Sequence, residues 1–348
     1  MFSNLRSLIF KLDPEAAHNL AIKSLKFNLI PNILKKNEED NLFITKLFDK
    51  KVENPFGIAA GFDKNAEVYN SLFNLGFGFV EVGTVTPLRQ YGNQKPRVFR
   101  LIEDHALINR LGFNNLGAIN IAERIKSNKK IGLLGINIGP NKDTKNRLND
   151  YVECIKIFNE LADYITVNIS SPNTENLRDY HDQKKLNELL ETINKEKKTL
   201  NSKTPIAVKV SPDINDQEVI KICDVLVSNN IEAIIVSNTS DSTRDNLKNA
   251  QSHQKGGLSG KPIEQKSTKL ISKFYKVLNG KIKIIGVGGV DSGKGAYEKF
   301  LAGANYIQLY TGMIYRGPNI VNMIKKELKE LLLKDGVKNF SEIVGKKE

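Results

Sequence analysis

Past residue 54 the chain settles into a repeat. Short, nearly continuous apolar or β-branched runs occur at 56–60, 79–82, 131–136, 164–167, 206–210, 233–236, 282–285 and 306–309. Each leads into a loop rich in Gly, Asn or Ser and then into a stretch with helical hydrophobic spacing, such as 148–161 or 217–228. Runs without polar alternation predict strands covered on both faces, and their alternation with helices predicts a parallel sheet. Right-handed crossovers leave few topologies open. Eight such units favour closure into an α/β architecture, the (β/α)8 TIM barrel, over a doubly wound open sheet. An amphipathic stretch at 320–333 ends the pattern.

The first part of the chain does not follow this rhythm. Phe2, Leu5, Ile9 and Leu12 recur at helical spacing, and Asp13-Pro14-Glu15 starts a second helix, with Asp13 as its cap and Pro14 at its first position. Ala17, Leu20, Ala21 and Leu25 then form one apolar stripe, with Lys23 and Lys26 off it. Lys35-Lys36 and Glu38-Glu39-Asp40 read as a linker. Residues 43–52, with Asp49-Lys50-Lys51 as the turn, read as a hairpin closing the barrel bottom. The expected division is a helical segment over 1–40 and a barrel over 41–348. Two helices appended to a complete barrel have no core of their own, so their apolar faces must meet either the barrel or lipid.

Composition narrows the function classes. The two cysteines, Cys154 and Cys223, lie far apart in helix-like stretches and form no CxxC or Cys/His cluster. That argues against a structural zinc, an iron–sulfur centre and a disulfide framework. The net charge of +13 comes from lysines spread along the chain with no interleaved aromatic run. A solvated lysine-rich surface accounts for it best, attraction to an anionic membrane next and nucleic acid last. No run approaches the roughly 20 apolar residues that span a bilayer, and the N-terminus lacks a signal-peptide core with its cleavage site.

In a barrel of this kind the chemistry sits where strands end at their carboxyl side. The first strand leads into Ala59-Ala60-Gly61-Phe62-Asp63-Lys64-Asn65. The second leads into Gly83-Thr84-Val85-Thr86-Pro87, which opens a segment containing INRLGFNN (108–115). The third ends at Asn137, the fourth at Asn168 ahead of Ser170-Ser171-Pro172-Asn173, the fifth at Lys209 and the sixth at Ser237-Asn238-Thr239. GGLSGKP (256–262) follows. The seventh ends in Gly288-Gly289 and the eighth in Tyr310-Thr311-Gly312. The last two loops occupy the place where barrels hold phosphate on backbone N–H groups. Asn137, Asn168 and Asn238 at strand ends, with Asn109 and Asn173 in loops of the same face, each read singly as turn asparagines. Together they suit a flat heterocycle with alternating N–H and C=O groups. Lys64 and Lys209 add fixed positive charge for an anionic ring or carboxylate.

In order and spacing, AAGFDK, GTVTP, INRLGFNN, NISSPNT, GGLSGKP and GVGG followed by QLYTGMIYRGP resemble the dihydroorotate dehydrogenases, specifically the membrane-associated, quinone-using class. The resemblance runs from about residue 13 to 330. It implies an FMN enzyme of pyrimidine biosynthesis that oxidises dihydroorotate to orotate and passes electrons to ubiquinone or menaquinone. It places FMN against Ala60, Gly61, Phe62, Asp63, Lys64, Thr84, Asn137, Asn168, Lys209, Ser237, Gly260, Gly289, Tyr310 and Thr311. Dihydroorotate is expected at Lys64, Asn109, Arg110, Leu111, Gly112, Phe113, Asn168, Asn173, Asn238 and Thr239. Ser237 stands where family members often carry Thr, which keeps the hydroxyl.

The same resemblance puts Ser171 where this class carries its base, removing a proton from C5 of dihydroorotate while hydride leaves C6 for flavin N5. The cytosolic class carries cysteine there. A serine hydroxyl is a poor base near neutrality, so Thr174, or a water behind it, is expected to relay the proton. The N-terminal helices, flanked by lysines, are expected to rest on lipid and form a quinone tunnel lined by His18, Arg100 and Tyr310. The implied setting is peripheral, on the cytoplasmic side of a bacterial inner membrane, without metal, nucleic acid or obligate protein partner. Two rivals predict other patterns. A flavin barrel acting on tRNA uridines calls for a C-terminal RNA-binding domain and a cysteine acid, and a catalytically dead scaffold calls for damaged strand-end loops; neither is seen.

Overall fold

The computed structural model describes residues 2–27, 29, 40–242 and 244–347, the side chains of residues 2–5 excepted. Strands β1 (Phe56–Ile58), β2 (Phe79–Val85), β3 (Leu133–Ile138), β4 (Tyr164–Asn168), β5 (Ile206–Val210), β6 (Ala233–Val236), β7 (Lys283–Val287) and β8 (Tyr306–Leu309) form a closed barrel. They pair in chain order, all parallel, and β8 closes on β1 with Ile307 opposite Phe56. The third and seventh strands start later and run further than the apolar runs suggest. Ile131, for instance, is exposed ahead of β3.

Helices α1 (Phe2–Ile9) and α2 (Pro14–Lys26) precede the barrel. Around it lie α3 (Tyr69–Asn74), α4 (Ala118–Ser127), α5 (Arg147–Phe158), α6 (Gln183–Thr199), α7 (Asp216–Ser228), α8 (Glu264–Leu278), α9 (Gly293–Leu301), α10 (Thr311–Arg316) and α11 (Ile320–Lys334). Cys154 and Cys223 are buried free thiols in α5 and α7, pushed up by burial.

Alternation along each strand divides the core into two parts. Val80, Val82, Leu134, Ile136, Ile165, Val167, Val208 and Ile234 pack outward against the helices. Phe79, Leu133, Tyr164, Ala207, Ala233, Ile285 and Tyr306 pack inward and fill the lower lumen. Further up, the inward register brings Glu81, Asn137, Thr166, Asn168, Lys209 and Gln308, all buried. The lumen is therefore apolar at its base and polar toward the carboxyl end.

Two small sheets cap the ends. Thr45–Leu47 pairs antiparallel with Lys50–Val52, and Leu47 and Val52 join the lower lumen core. Its turn is Phe48-Asp49, both at positive φ (50° and 63°), and not Asp49-Lys50-Lys51. A two-residue hairpin turn needs left-handed backbone at both central positions, which leaves both lysines on a strand. At the opposite end a three-stranded antiparallel sheet joins Val98–Leu101, Ala106–Asn109 and Gly257–Gly260, with Asn109 opposite both Val98 and Gly257. The sequence pattern does not reveal this roof.

Helix α2 docks beneath one edge of that roof. Asp13 caps it, its Oδ1 accepting from the backbone N–H groups of Glu15 (3.0 Å) and Ala16 (2.9 Å). Glu15 receives two hydrogen bonds from Arg97, at 2.6 and 3.1 Å. Arg97 is 6% exposed, and it also donates to the Tyr91 and Asn93 carbonyls. Ala17 and Leu25 are buried, but Leu20 is 49% exposed and Ala21 is exposed too. The expected stripe is thus split. The Glu15–Arg97 pair and the edge contact of His18 with Phe62 (5.3 Å) turn only part of it toward the barrel. Leu8, Leu12, Leu20, Phe27 and Leu29 remain as exposed apolar side chains. Lys35, Lys36, Glu38 and Glu39 of the expected linker lie outside the described residues.

Breaking a mostly buried ion pair by removing one partner costs up to about 3–5 kcal/mol, and without Arg97 the Glu15 carboxylate would keep the exposed Lys95 at 3.6 Å. Helix α2 can avoid that cost by releasing. Arg97→Ala is expected to make trypsin cut at Lys11, Lys23 and Lys26 several-fold faster while the barrel stays intact. A limited-digestion time course checks this; an unchanged cutting rate would show that the pair does not hold the helix.

Candidate active site

A single acid organises the upper lumen. Glu81, on β2, is fully buried. It accepts from Asn137 Nδ2 (2.8 Å), the Tyr164 hydroxyl (2.8 Å), Thr166 Oγ1 (3.1 Å) and Gln308 Nε2 (2.8 Å). All four bonds are donated to the carboxylate, so the Asn137 NH2 is held downward and the Asn137 carbonyl faces up. That carbonyl accepts from Thr84 Oγ1 (2.6 Å) and Asn168 Nδ2 (3.1 Å). The Asn168 carbonyl is then free to accept from Ser170 Oγ (2.9 Å), which in turn accepts from Asn238 Nδ2 (2.8 Å). The amides of three strands are locked in one donor–acceptor sense.

Lys209 shares this layer. Burial pushes its ammonium down, and the charge of Glu81 acts against that. Among the described residues its Nζ has no hydrogen-bond acceptor, and it lines the cleft above. The Gln308 Oε1 atom is likewise buried without a donor. Both groups offer unused polar capacity to whatever fills the cleft.

The cleft covers about 1160 Å³ including its mouth. Along one wall, Lys64 Nζ donates to the Gly61 carbonyl (2.7 Å), and burial holds its ammonium down to about 8 despite the nearby Glu15 carboxylate. Opposite, Ser171 is 5% exposed and its Oγ accepts from the Asn173 backbone N–H at 3.2 Å. Asn173 Nδ2 reaches Asn109 Oδ1 (3.4 Å), joining the loop after β4 to the roof. Thr174 is buried, and among the described residues its side chain makes no direct hydrogen bond to Ser171.

At the far end, Gly288 and Gly289 sit at φ 129° and 77°. A Cβ on Gly289 would stand 2.6 Å from Glu264 Cα, so no side chain fits, and this stretch of backbone lines the cleft. Ser259 Oγ and Thr311 Oγ1 lie 2.8 Å apart beside them.

The structure brings most of the expected residues together. Ala60, Gly61, Lys64, Thr84, Asn168, Lys209, Ser237, Gly260, Gly289, Tyr310 and Thr311 line this one cleft, as do Asn109, Leu111, Gly112, Phe113, Ser171, Asn173, Asn238 and Thr239. Four do not. Asn137 lies a layer below and acts through Thr84 and Asn168. Asp63 points away to accept from the backbone N–H groups of Glu67 (2.8 Å) and Val68 (2.7 Å). Phe62 stands between His18 and Tyr310. Arg110 turns outward to Gln254 Oε1 (3.0 Å) and the Lys255 carbonyl (3.1 Å), over the Phe99 ring.

Glu81 and Gln308 escape a reading by apolar runs, although a lone polar residue in such a run is itself a signal. Arg178 gives no signal in the sequence. Its guanidinium donates to the Ser170 (3.1 Å) and Thr239 (3.2 Å) carbonyls and pairs with Asp213 and Asp241, tying the loops after β4 and β6.

Of the expected tunnel residues, His18 on α2 and Tyr310 at the cleft are linked through Phe62. His18 is held down to about 3 by burial and the Lys64 charge, so it is neutral. The rings of His18, Phe62 and Tyr310 meet edge to face in series, at 5.3 and 6.2 Å. Arg100 lies apart, over the Phe10 ring (4.3 Å) and bonded to the Phe10 carbonyl (3.0 Å), with its Nε buried and unpartnered. Among the described residues no group of His, Cys, Asp and Glu could hold a metal. No helix among them is long and apolar enough to cross a membrane.

Known proteins share both sequence and architecture with this chain. The dihydroorotate dehydrogenase family model matches residues 42–332. A dihydroorotate dehydrogenase (quinone) of Bartonella tribocorum is 47% identical over 97% of this chain and 94% of its own length. One of Vibrio parahaemolyticus is 45% identical over 93% and 98%. The crystal structure of DHODH in complex with ferulenol from Eimeria tenella superposes with a TM-score of 0.92 at 36% identity, covering 96% of this chain and 95% of that one. A barrel with this rim, matched over nearly its whole length, belongs to the dihydroorotate dehydrogenase family.

Proposed function

We propose that this chain oxidises dihydroorotate to orotate in pyrimidine synthesis at the cleft above Glu81, with FMN as its flavin and a membrane quinone as the final acceptor. The observation that supports this reading most is the convergence of two kinds of surface in one cleft. A wall of locked amides and lysines suits a planar ring system, and a glycine-lined end suits a phosphate. The unpaired Lys209 ammonium and Gln308 carbonyl fit a ring with acceptor and donor edges. Gly260, Gly289 and Thr311 would hold the phosphate, and Ala60, Gly61, Thr84, Asn168, Lys209, Ser237 and Tyr310 the ring system. When bound, the flavin takes up the hydride that leaves C6 of the substrate.

The remaining steps fall to the chain's own side chains. Lys64, Asn109, Asn173, Asn238 and Thr239, with the 111–113 backbone, orient dihydroorotate. Ser171 takes the C5 proton. Its Oγ accepts one backbone hydrogen bond, which leaves its own O–H free to pass a proton onward to Thr174 or a water. Roof and loops exclude bulk solvent from that transfer. Residues 1–40 form the membrane-facing unit, and the exposed leucines and Phe27 on its outer face, flanked by lysines, rest on lipid at the cytoplasmic side of an inner membrane. The His18–Phe62–Tyr310 series leads from that face to the cleft.

The test is anaerobic addition of dihydroorotate to the purified yellow protein, followed by a quinone. Bleaching and then recovery of colour are expected; colourless protein, or colour indifferent to dihydroorotate, contradicts the reading. A pH dependence also follows. The Lys64 ammonium binds the substrate carboxylate only while protonated. Affinity should be full below about 8 and fall as pH rises through that value. KM for dihydroorotate is expected to rise by about tenfold per pH unit above it, until the substrate-bound pKa is reached. A KM flat from pH 7 to 9.5 would remove Lys64 from the substrate site.

A further inference from the structure

Helices α8 and α9 meet behind the loop that follows β7, and at their contact lies a lysine that the steps above do not use. Lys299 is 0% exposed. Its Nζ donates to Ser267 Oγ (3.0 Å), Thr268 Oγ1 (3.0 Å) and the Glu264 carbonyl (3.4 Å). All three acceptors are neutral, and among the described residues no carboxylate pairs with it. The Glu264 carboxylate, which acts on it through space, pairs with Lys261 through Oε2 at 2.6 Å, while its Oε1 is buried without a hydrogen-bond partner. A buried cation without its own anion is costly unless an anion arrives from elsewhere.

Its position says where that anion would be. Ser267 Oγ, the acceptor for Lys299, donates onward to the Val287 carbonyl (2.6 Å), directly before Gly288. A Cβ on Gly288 would stand 2.9 Å from the Ser267 Cβ, and one on Gly289 would meet the first turn of α8. Between the ammonium and the glycine end of the cleft stand one serine side chain and one stretch of backbone. Charges separated by protein rather than water act on each other with little screening.

We propose that Lys299 is the buried counter-charge for the phosphate of the bound mononucleotide, a positioning residue acting through Ser267 and the Gly288-Gly289 loop without touching the ligand. This rests on the flavin reading above. It explains why an amphipathic helix places a lysine on its buried side, and it predicts discrimination between a phosphorylated flavin and its dephosphorylated form. It also couples binding to a proton. Burial lowers the Lys299 ammonium to about 7, with Glu264 and Glu298 opposing and Lys261 reinforcing that shift. A phosphate is doubly charged above its second pKa of about 6, so beyond pH 7 its own charge is nearly constant. The lysine's contribution is then full below about 7 and lost as pH rises through the value it reaches in the complex.

The experiment strips flavin from the full chain and measures rebinding of FMN and of riboflavin by fluorescence quenching, in wild type and Lys299→Met. The ratio of the two affinities is the readout. Groups near the ring, including Lys64, which titrates near 8, act on both ligands and cancel; Lys261 is raised and stays charged throughout. The expected result is a ratio reduced by about tenfold or more in the variant, with riboflavin affinity unchanged. The wild-type ratio should fall from pH 7 to 9, and the variant's should not. Equal loss of both ligands, or an unchanged ratio, would overturn the proposal and leave Lys299 a packing residue. If Lys299→Met does not fold, the wild-type slope decides, and a flat ratio overturns it. Wild type that binds neither flavin refutes the flavin reading itself.

Discussion

Replacing Ser171 by alanine is expected to leave the protein yellow and folded while slowing reduction of its flavin by dihydroorotate by a factor of about 10³ or more, within the range that a positioned general base supplies. The side chain is small and makes one hydrogen bond, accepted from the Asn173 N–H. Its loss therefore leaves the loop anchored by Arg178 through the Ser170 carbonyl. The amide network runs through Ser170 and not Ser171, so the groups that face the ring keep their orientation. Stopped-flow absorbance of the anaerobic reaction reads the step directly. Reduction within tenfold of wild type would remove Ser171 as the base. A loss of bound flavin instead would mean that the residue holds the ring.

Removal of residues 1–36 is expected to separate the two half-reactions. Flavin reduction by dihydroorotate should persist, because among the described residues none of α1 or α2 lines the cleft. Turnover with a long-chain quinone in vesicles should fall by about two orders of magnitude, since an apolar acceptor held in lipid must be met at the surface. A water-soluble dye acceptor should still be reduced. Leu8 on α1, Leu20 on α2 and Phe27 just after it are exposed apolar side chains, at 63%, 49% and 71%, and truncation would take this surface with it. Unchanged quinone turnover in vesicles would end the tunnel assignment.

The barrel was legible because each strand is covered on both faces and so reads as an unbroken apolar run. The rim was legible because its Asn, Ser, Gly and Lys residues recur at the carboxyl ends of the strands and match one family's motifs in order and spacing. Both readings fail where pairing is non-local or where one residue departs from its surroundings. The roof joins Ala106–Asn109 to Gly257–Gly260, two four-residue strands about 150 positions apart, and nothing local predicts their pairing. Glu81 and Gln308 were absorbed into the apolar runs that contain them. Lys50 and Lys51 suggested a turn because they are charged, whereas backbone conformation puts the turn at Phe48-Asp49. Lys299 looks like any lysine of a surface helix until the packing of α9 on α8 hides it. The stripe on α2 was correct as a pattern but incomplete as a docking face, since ion pairing and not hydrophobicity alone sets the rotation of that helix.

The Glu15–Arg97 pair has a mechanical meaning. Arg97 immediately precedes Val98–Leu101, the strand whose neighbour ends at Asn109. The pair therefore ties α2 to the first strand of the roof, so that the placement of the helix and of that strand are set together.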